Sequence, residues 1–368
     1  MNILHLNSNI KFGGSEQQLI YLVDATSKKN VNNFIFCFEG SDIEIRRTDI
    51  KATIFAVKKQ KKSHPALLLK LKKIVKENNI DLIHIHTGRF ILTYMLADLF
   101  LNLNCRAIFS KKDMSPNSSW FSKLKYNYKG IYKTTCVTEA IKERFKTILY
   151  KKNYNKLSVI RDGLFLENLK TPSLKNIHED LGIENNKIII GNVANHVEAK
   201  DLNVLIFVLD YLVNEKKMKD VHIVQIGRFS GLTDGLKMII NEKNLQNNIT
   251  FTDFIKDGFE YTSQFDYFLM TSKTEGMPLS ILESFYYKIP VISTNAGGIP
   301  EIVNHKENGL LSNIGDFKQL AENIIILNND ASLKKNIIEN AYTLVVKEFS
   351  HHLMGDKTIA TYKEILEK

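Results

Sequence analysis

Along the chain, short runs of branched and aromatic residues alternate with longer segments in which apolar positions recur every three or four residues. The first pattern marks strands and the second amphipathic helices. In the first half it predicts strands at residues 3–6, 34–38, 53–57, 82–85, 106–110, 135–138 and 157–160. Helices are predicted over 15–27, 65–78, 90–101, 119–129 and 139–150. A polar stretch at 161–186, containing Pro172 and an isolated Gly182, reads as a linker. The alternation then restarts, with strands at 187–193, 221–226, 249–251, 267–270, 290–293 and 309–311. Helices at 202–215, 232–244 and 279–288 lie between them, and three helical segments follow from residue 316.

Strands separated by helices form parallel sheets, so the fold class expected is α/β, with two Rossmann-like doubly wound domains in tandem. Their bounds are 1–165 and 166–348, with a C-terminal helix over 349–368 packing back on the first domain. Doubly wound sheets bind ligands beyond the carboxyl ends of their strands, so two facing sheets would enclose a cleft walled by βα loops.

A length of 368 residues suits two domains, and 44% hydrophobic with 24% charged residues places the chain in the ordinary globular class. Cys37, Cys105 and Cys136 are odd in number and lack a CxxC, which argues against a disulfide framework or zinc site and for a reducing cytosol. The start, MNILHLNSNIKFGG, has too short an apolar run for a signal peptide and reads as a strand entering a glycine turn. The longest apolar stretch, 90–103, is interrupted by Asp98 and Asn102 and falls short of the roughly 20 residues a bilayer span needs. A cytoplasmic protein is expected, peripheral at the inner face of the plasma membrane.

Charge divides unevenly. Residues 1–165 carry 29 Lys+Arg against 13 Asp+Glu, while residues 166–368 carry 21 against 27. Codon bias would load both halves alike, so the first half is expected to meet something anionic: a membrane surface, a lipid diphosphate or a polyanion.

The segment richest in chemistry is SKTEGMPLSILESFYYKIPVISTNAGGIPEIVNHKENGLL, 272–311. Glu275 lies on a loop before a helix, and Glu283 lies inside that helix among Ile281, Leu282 and Phe285, where an unpaired carboxylate is costly. It either pairs within the fold or holds a ligand. Pro278 suits a first helical turn, whose unpaired N–H groups from Gly276 to Leu279 fit a diphosphate. A second glycine turn, 295–298, precedes Pro300. No D-x-D occurs, so no required divalent metal is expected, and the lack of HExxH, GxSxG and a complete Walker lysine motif removes support from hydrolase and kinase readings.

This E-x7-E region, set in EGxPxxxLE and followed by a P-V-I run and a G-G-x-P-E turn, resembles the glycosyl transferases group 1 domain of glycosyltransferase family 4. The resemblance is close over the C-terminal half and looser over the N-terminal half. It implies a GT-B fold, with a C-terminal domain binding a nucleotide-sugar donor and an N-terminal domain binding the acceptor. By the same resemblance Glu283 holds the ribose and Glu275 approaches the transferred sugar. Backbone amides of Gly276, Met277, Leu279, Gly297 and Gly298, around Pro278, line phosphates and sugar. The family carries an arginine and, five residues on, a lysine that bind the leaving diphosphate. In GNVANHVEAKDLNVLI, Lys200 matches the lysine, but Asn195 stands in place of the arginine. Arg228 and His196 are candidates for the missing cation.

In the first half, Gly13 and Gly14 resemble the family's GGxE turn, where sugar-donor phosphate and acceptor approach the backbone. His84 and His86, in DLIHIHTGR, share one face of a strand. They are either satisfied histidines at a sheet edge or acceptor contacts. Lys111 and Lys112, in SKKDM, resemble an S-R-R-D variant and are assigned to acceptor or phosphate.

The function implied is retaining transfer of a hexose-type sugar to a glycan or polyprenyl-diphosphate-linked acceptor, in capsule, exopolysaccharide or lipopolysaccharide assembly. No cofactor, no metal and no nucleic acid are expected as partners. A nucleotide-sugar epimerase of the same fold and a noncatalytic sugar-nucleotide-binding protein are the alternatives.

Overall fold

The computed structural model describes residues 1–114, 119–169, 175–255 and 258–367. It divides into two compact units, one formed by Met1–Phe165 with Phe349–Lys368 and the other by Leu166–Glu348. The first unit contains β1 (Asn2–Leu6), α1 (Gly14–Ser27), β2 (Asn32–Phe38), α2 (Asp42–Ile45), β3 (Thr53–Val57), α3 (Pro65–Glu77) and β4 (Leu82–Ile85). It continues with α4 (Gly88–Leu101), β5 (Arg106–Lys111), α5 (Trp120–Tyr126), β6 (Ile131–Cys136), α6 (Glu139–Lys146) and β7 (Leu157–Val159).

The second unit holds α7 (Leu166–Leu169), α8 (Ile177–Leu181), β8 (Ile188–Val193), α9 (Leu202–Asp210), β9 (Val221–Ile226), α10 (Thr233–Glu242) and β10 (Ile249–Phe251). Then come β11 (Tyr267–Met270), α11 (Leu279–Tyr286), β12 (Val291–Thr294), β13 (Leu310–Ser312), α12 (Phe317–Asn329) and α13 (Ala331–Glu348). The last helix, α14 (His351–Glu367), returns to the first unit.

Strand order is β3-β2-β1-β4-β5-β6-β7 in the first sheet and β10-β9-β8-β11-β12-β13 in the second, and every strand pair is parallel. Central strands are buried on both faces, as along Leu82–Ile85 and Val221–Ile226, which is why they read as unbroken apolar or neutral runs. Each sheet reverses direction once, between β1 and β4 and between β8 and β11. Such a reversal splays the following loops apart and opens a ligand-sized crevice.

Three local readings are corrected. The strand expected at 135–138 runs Ile131–Cys136 instead, because the Thr138 side chain accepts from Ile141 N and caps α6. The helix expected over 202–215 changes to a π turn at Tyr211–Glu215. The expected linker contains two short helices: Asn176 caps α8, and Gly182 ends it at φ 66°, so that glycine is a helix stop rather than a loop breaker. Pro172 lies outside the described residues.

Helix α14 closes the first core. Ile359, Tyr362 and Ile365 pack with Ile3, Leu82 and Ile108, each contributing ~2 kcal/mol of apolar burial. All three cysteines are buried and unpaired. No helix among the described residues is long and apolar enough to cross a membrane.

Candidate active site

In the second unit the crevice at the β8/β11 reversal is walled by the loops after those strands. Lys200 comes from the first loop and Glu275 from the second, and Lys200 Nζ donates to Glu275 Oε1 at 2.5 Å. Ser272 Oγ donates to the same oxygen at 2.6 Å, fixing the carboxylate from below. The loops are also joined through the backbone, by Lys273 N to Ala199 O at 2.8 Å and by Thr271 Oγ1 to Lys200 O at 3.0 Å. Sequence reasoning passed over Ser272, although its spacing of three residues before Glu275 is that of a short side-chain bond within one turn.

The turn after β12 docks on the same place. Gly298 N donates to Glu275 O at 3.1 Å, and Thr294 Oγ1 donates to Ser272 O at 2.7 Å. Gly297 sits at φ 56°, and a Cβ there would lie 2.1 Å from Glu275 O. Only glycine fits, for conformation and for space. Pro278 is the N-cap of α11 rather than its first helical residue, with φ −73° and ψ 117°. The N–H groups of Gly276, Met277 and Leu279 find no acceptor among the described residues, so they remain available to an anion.

Glu283 is 6% exposed and has no side-chain hydrogen bond or ion pair among the described residues. Burial alone pushes its carboxyl up to about 7. A buried acid without a partner is costly to a folded chain, which makes Glu283 a candidate for ligand contact.

Asn195 is exposed, and its Oδ1 accepts from Arg228 N at 3.0 Å, so the side chain ties two loops together. Arg228 lies over the Phe254 ring at 4.5 Å. His196 is corrected as a candidate cation. Its nitrogens meet Thr233 Oγ1 at 2.8 Å and Gln225 Oε1 at 2.7 Å, and burial lowers its pKa, so it stays neutral. A cavity of about 760 Å³ opens beside this loop, lined by His196, Asp201, Leu236, Lys273 and Thr274 among others; Lys200, Glu275 and Glu283 do not line it.

The first unit's reversal has different contents. His84 on β4 and His86 just after it meet His5 on β1, in the middle of the sheet and not at its edge. Asn33 Nδ2 donates to Val31 O and Val23 O, so its Oδ1 accepts, and His5 Nε2, 3.0 Å away, carries the proton. His5 Nδ1 then accepts from His86 Nε2 at 3.0 Å, which leaves His86 Nδ1 a buried lone pair with no partner among the described residues. His84 is used up by Tyr362 OH at 2.6 Å and Ser110 Oγ at 2.7 Å. Burial holds all three rings below the ordinary histidine pKa, His5 at about 4, so the group is neutral. Ring nitrogens lie within 4.8 Å of one another, close enough for a metal ion, yet a cation would displace one hydrogen bond of His5 and one of His84.

Gly13 is the N-cap of α1 in extended backbone, and Gly14 begins the helix. Glu16 is buried beside them, accepting from Asn7 Nδ2 at 3.1 Å and Asn9 Nδ2 at 2.6 Å. Lys111 Nζ pairs with Asp113 at 2.5 Å and Lys112 Nζ with Asp162 at 2.7 Å.

The second unit thus brings an ion pair and open helix-start amides to the loops of one reversal, with an unpartnered buried acid on the helix that follows, an arrangement able to take an anion. Residues 174–344 match the family described as glycosyl transferases group 1, and residues 12–167 match glycosyltransferase family 4. The chain joins a glycosyltransferase family 4 domain to a glycosyl transferases group 1 domain. This glycosyltransferase is 27% identical over 315 residues to a capsular polysaccharide biosynthesis glycosyltransferase of Staphylococcus aureus, covering 80% of this chain and 81% of that one. It is 23% identical over 293 residues to the UDP-Gal:alpha-D-GlcNAc-diphosphoundecaprenol alpha-1,3-galactosyltransferase of Escherichia coli, covering 76% of each. Its fold matches that of an Anabaena protein crystallised with UDP and glucose, at TM-score 0.85 and 20% identity, over 98% of this chain and 99% of that one.

Proposed function

We propose that this glycosyltransferase moves a hexose-type sugar from a nucleoside-diphosphate sugar to a glycan or polyprenyl-diphosphate-linked acceptor in cell-surface polysaccharide assembly. The observation that carries the reading is the Lys200–Glu275 pair at the β8/β11 reversal, set beside the open amides of Gly276, Met277 and Leu279. The diphosphate takes those amides and draws Lys200 from Glu275. Glu275, released but still held by Ser272, is then free for the hydroxyls of the transferred sugar. Glu283 accepts from the ribose hydroxyls, which gives its buried carboxylate the partners it lacks.

As the bond to the sugar breaks, negative charge builds on the diphosphate and positive charge on the anomeric carbon. A unit charge at about 4 Å and an effective dielectric of 20 contributes on the order of 4 kcal/mol, so Lys200 is the principal leaving-group stabiliser. The departing diphosphate takes the acceptor proton on the same face, giving retention and needing no side-chain base. Fixed cations and helix dipoles fill the role a divalent metal would otherwise have. The acceptor lies on the first unit, where Gly13, Gly14 and the lone pair of His86 are the polar contacts, with Lys111 and Lys112 toward its phosphate.

Support for the acceptor class comes from the relatives, one named for capsular polysaccharide and one for a lipid-diphosphate acceptor. UDP-glucose is the first sugar donor to test, because the Anabaena protein binds UDP and glucose. The test incubates the protein with UDP-glucose, UDP-galactose or UDP-N-acetylglucosamine and a short-chain lipid-diphosphate disaccharide, with and without EDTA. Transfer with retained anomeric configuration in both buffers is expected. Epimerisation of the sugar nucleotide without acceptor, or binding without turnover for all three, would overturn the reading.

A further inference from the structure

Helix α5 is seven residues long and has two unlike faces. Ser122 and Tyr126 face inward, Tyr126 packing edge-on against Phe145 at 5.0 Å. Trp120, Phe121 and Leu124 point outward and are 76%, 48% and 44% exposed, with Lys123 among them. Scattered apolar residues on a surface need no explanation, but three adjoining large ones on a single short helix do.

The surroundings of this face are basic. Lys125 Nζ donates to Gly88 O at 3.2 Å, which ties α5 to the first turn of α4. The same helix holds the loop after β3: Arg89 donates to Gln60 O at 2.7 Å, and Thr93 Oγ1 to Lys62 O at 2.9 Å. That loop reads KKQKK and presents Lys58, Lys59, Lys61 and Lys62, all exposed and none with a carboxylate partner among the described residues. Burial first, and then the nearby charges of Lys62 and Lys111, lower the Lys125 pKa. The loop carrying these four cations and the helix carrying the exposed aromatic face are thus held on the same helix α4, Lys62 being the one whose charge reaches α5, and both follow strands of the same sheet, β3 and β5.

We infer that α5 with the Lys58–Lys62 loop is a docking surface for an anionic lipid bilayer, Trp120, Phe121 and Leu124 entering the interface while the lysines meet headgroup phosphates. The chemistry selects this occupant. A soluble polyanion would use the lysines and leave the apolar side chains in water, whereas an interface takes tryptophan and lysine together. The surface deepens the lipid-linked-acceptor reading and rests on it for its purpose, since it would hold the β4 end of the first unit against the leaflet that carries such an acceptor.

Trp120 is the only tryptophan in the chain, so its fluorescence reports this helix alone. The whole protein is titrated with vesicles of phosphatidylcholine containing phosphatidylglycerol, with phosphatidylcholine vesicles, and with heparin. Expected are a blue shift of Trp120 emission and quenching by brominated lipid with anionic vesicles only, both reduced by molar salt. Reversing Lys58, Lys59, Lys61 and Lys62 to Glu should weaken vesicle binding on the order of a hundredfold. Phe121→Ser with Leu124→Ser should weaken it about tenfold while circular dichroism stays unchanged. Transfer to a water-soluble acceptor should be unaffected by either set. An unshifted Trp120 with anionic vesicles, equal binding to both vesicle types, or heparin binding as tight as vesicle binding would overturn the inference and leave the transfer reading standing. Vesicle binding without transfer to any acceptor would do the reverse.

Discussion

The two units share a topology and differ in what their reversal points hold. At β8/β11 the side chains are ionisable and exchangeable: Lys200 and Glu275 are paired with each other, and Glu283 has no partner among the described residues. At β1/β4 the side chains are neutral and closed, three histidines linked to Asn33, Ser110 and Tyr362 with a single nitrogen left over. A site for a diphosphate needs charge that can change partners on binding. A site for a sugar hydroxyl needs fixed neutral acceptors whose spare capacity is small and specific. On the proposed reading one βα framework supplies both, through loop side chains at Lys200 and Glu275 in the second unit and through strand side chains at His5 and His84 in the first.

Removing the exchangeable charge should have the largest effect. Lys200→Ala is expected to lower kcat about 10²- to 10³-fold at saturating sugar donor, read by initial rates of transfer. A change in KM alone would mean that the lysine merely recruits the substrate. Gly297→Ala should follow, costing roughly 2 to 4 kcal/mol in urea unfolding, because the added Cβ meets the Glu275 carbonyl and the φ is left-handed. A variant that melts like the parent would separate the two turns.

Glu283→Gln sharpens the contrast through pH. The folded carboxyl is held at about 7 against an ordinary 4.5, so the folded state keeps a proton that the unfolded chain releases. Stability therefore falls as pH rises from about 4.5 to about 7 and is level outside that window. Gln removes the penalty, and the ligand-free variant should gain about 3 kcal/mol at alkaline pH and nothing at acid pH. Sugar-donor affinity runs the opposite way, strengthening in the parent as pH rises through about 7 and losing that dependence in the variant, as calorimetry would measure. The smallest effect is expected on the neutral side. His86→Phe should raise KM for the acceptor a fewfold, about the worth of one neutral hydrogen bond, with sugar-donor affinity unchanged.

Strands such as Leu82–Ile85 and Val221–Ile226 were legible because burial on both faces leaves continuous runs. The ends of elements were less so: Thr138 reads as a strand residue by propensity and acts as a cap. The residues brought together at Lys200 and Glu275 were visible as motifs, whereas their contact depends on two loops 75 positions apart. His196 looked available because nothing local announces Thr233 or Gln225. His5 was missed for the same reason, since only the pairing of β1 with β4 sets it beside His84 and His86.

The route of the chain has a consequence for biogenesis. It leaves the first unit at Phe165 and re-enters at Phe349, where Leu164 and Ser350 lie bridged side by side. The second unit is thus an insertion, contiguous in sequence and free to fold as soon as its own residues emerge from a ribosome. The first unit begins synthesis earlier but must wait for α14 before Ile3, Leu82 and His84 gain their covering side chains. Maturation should run from the middle of the chain outward, and a first unit cut off at residue 165 should remain soft until Tyr362 is restored to it.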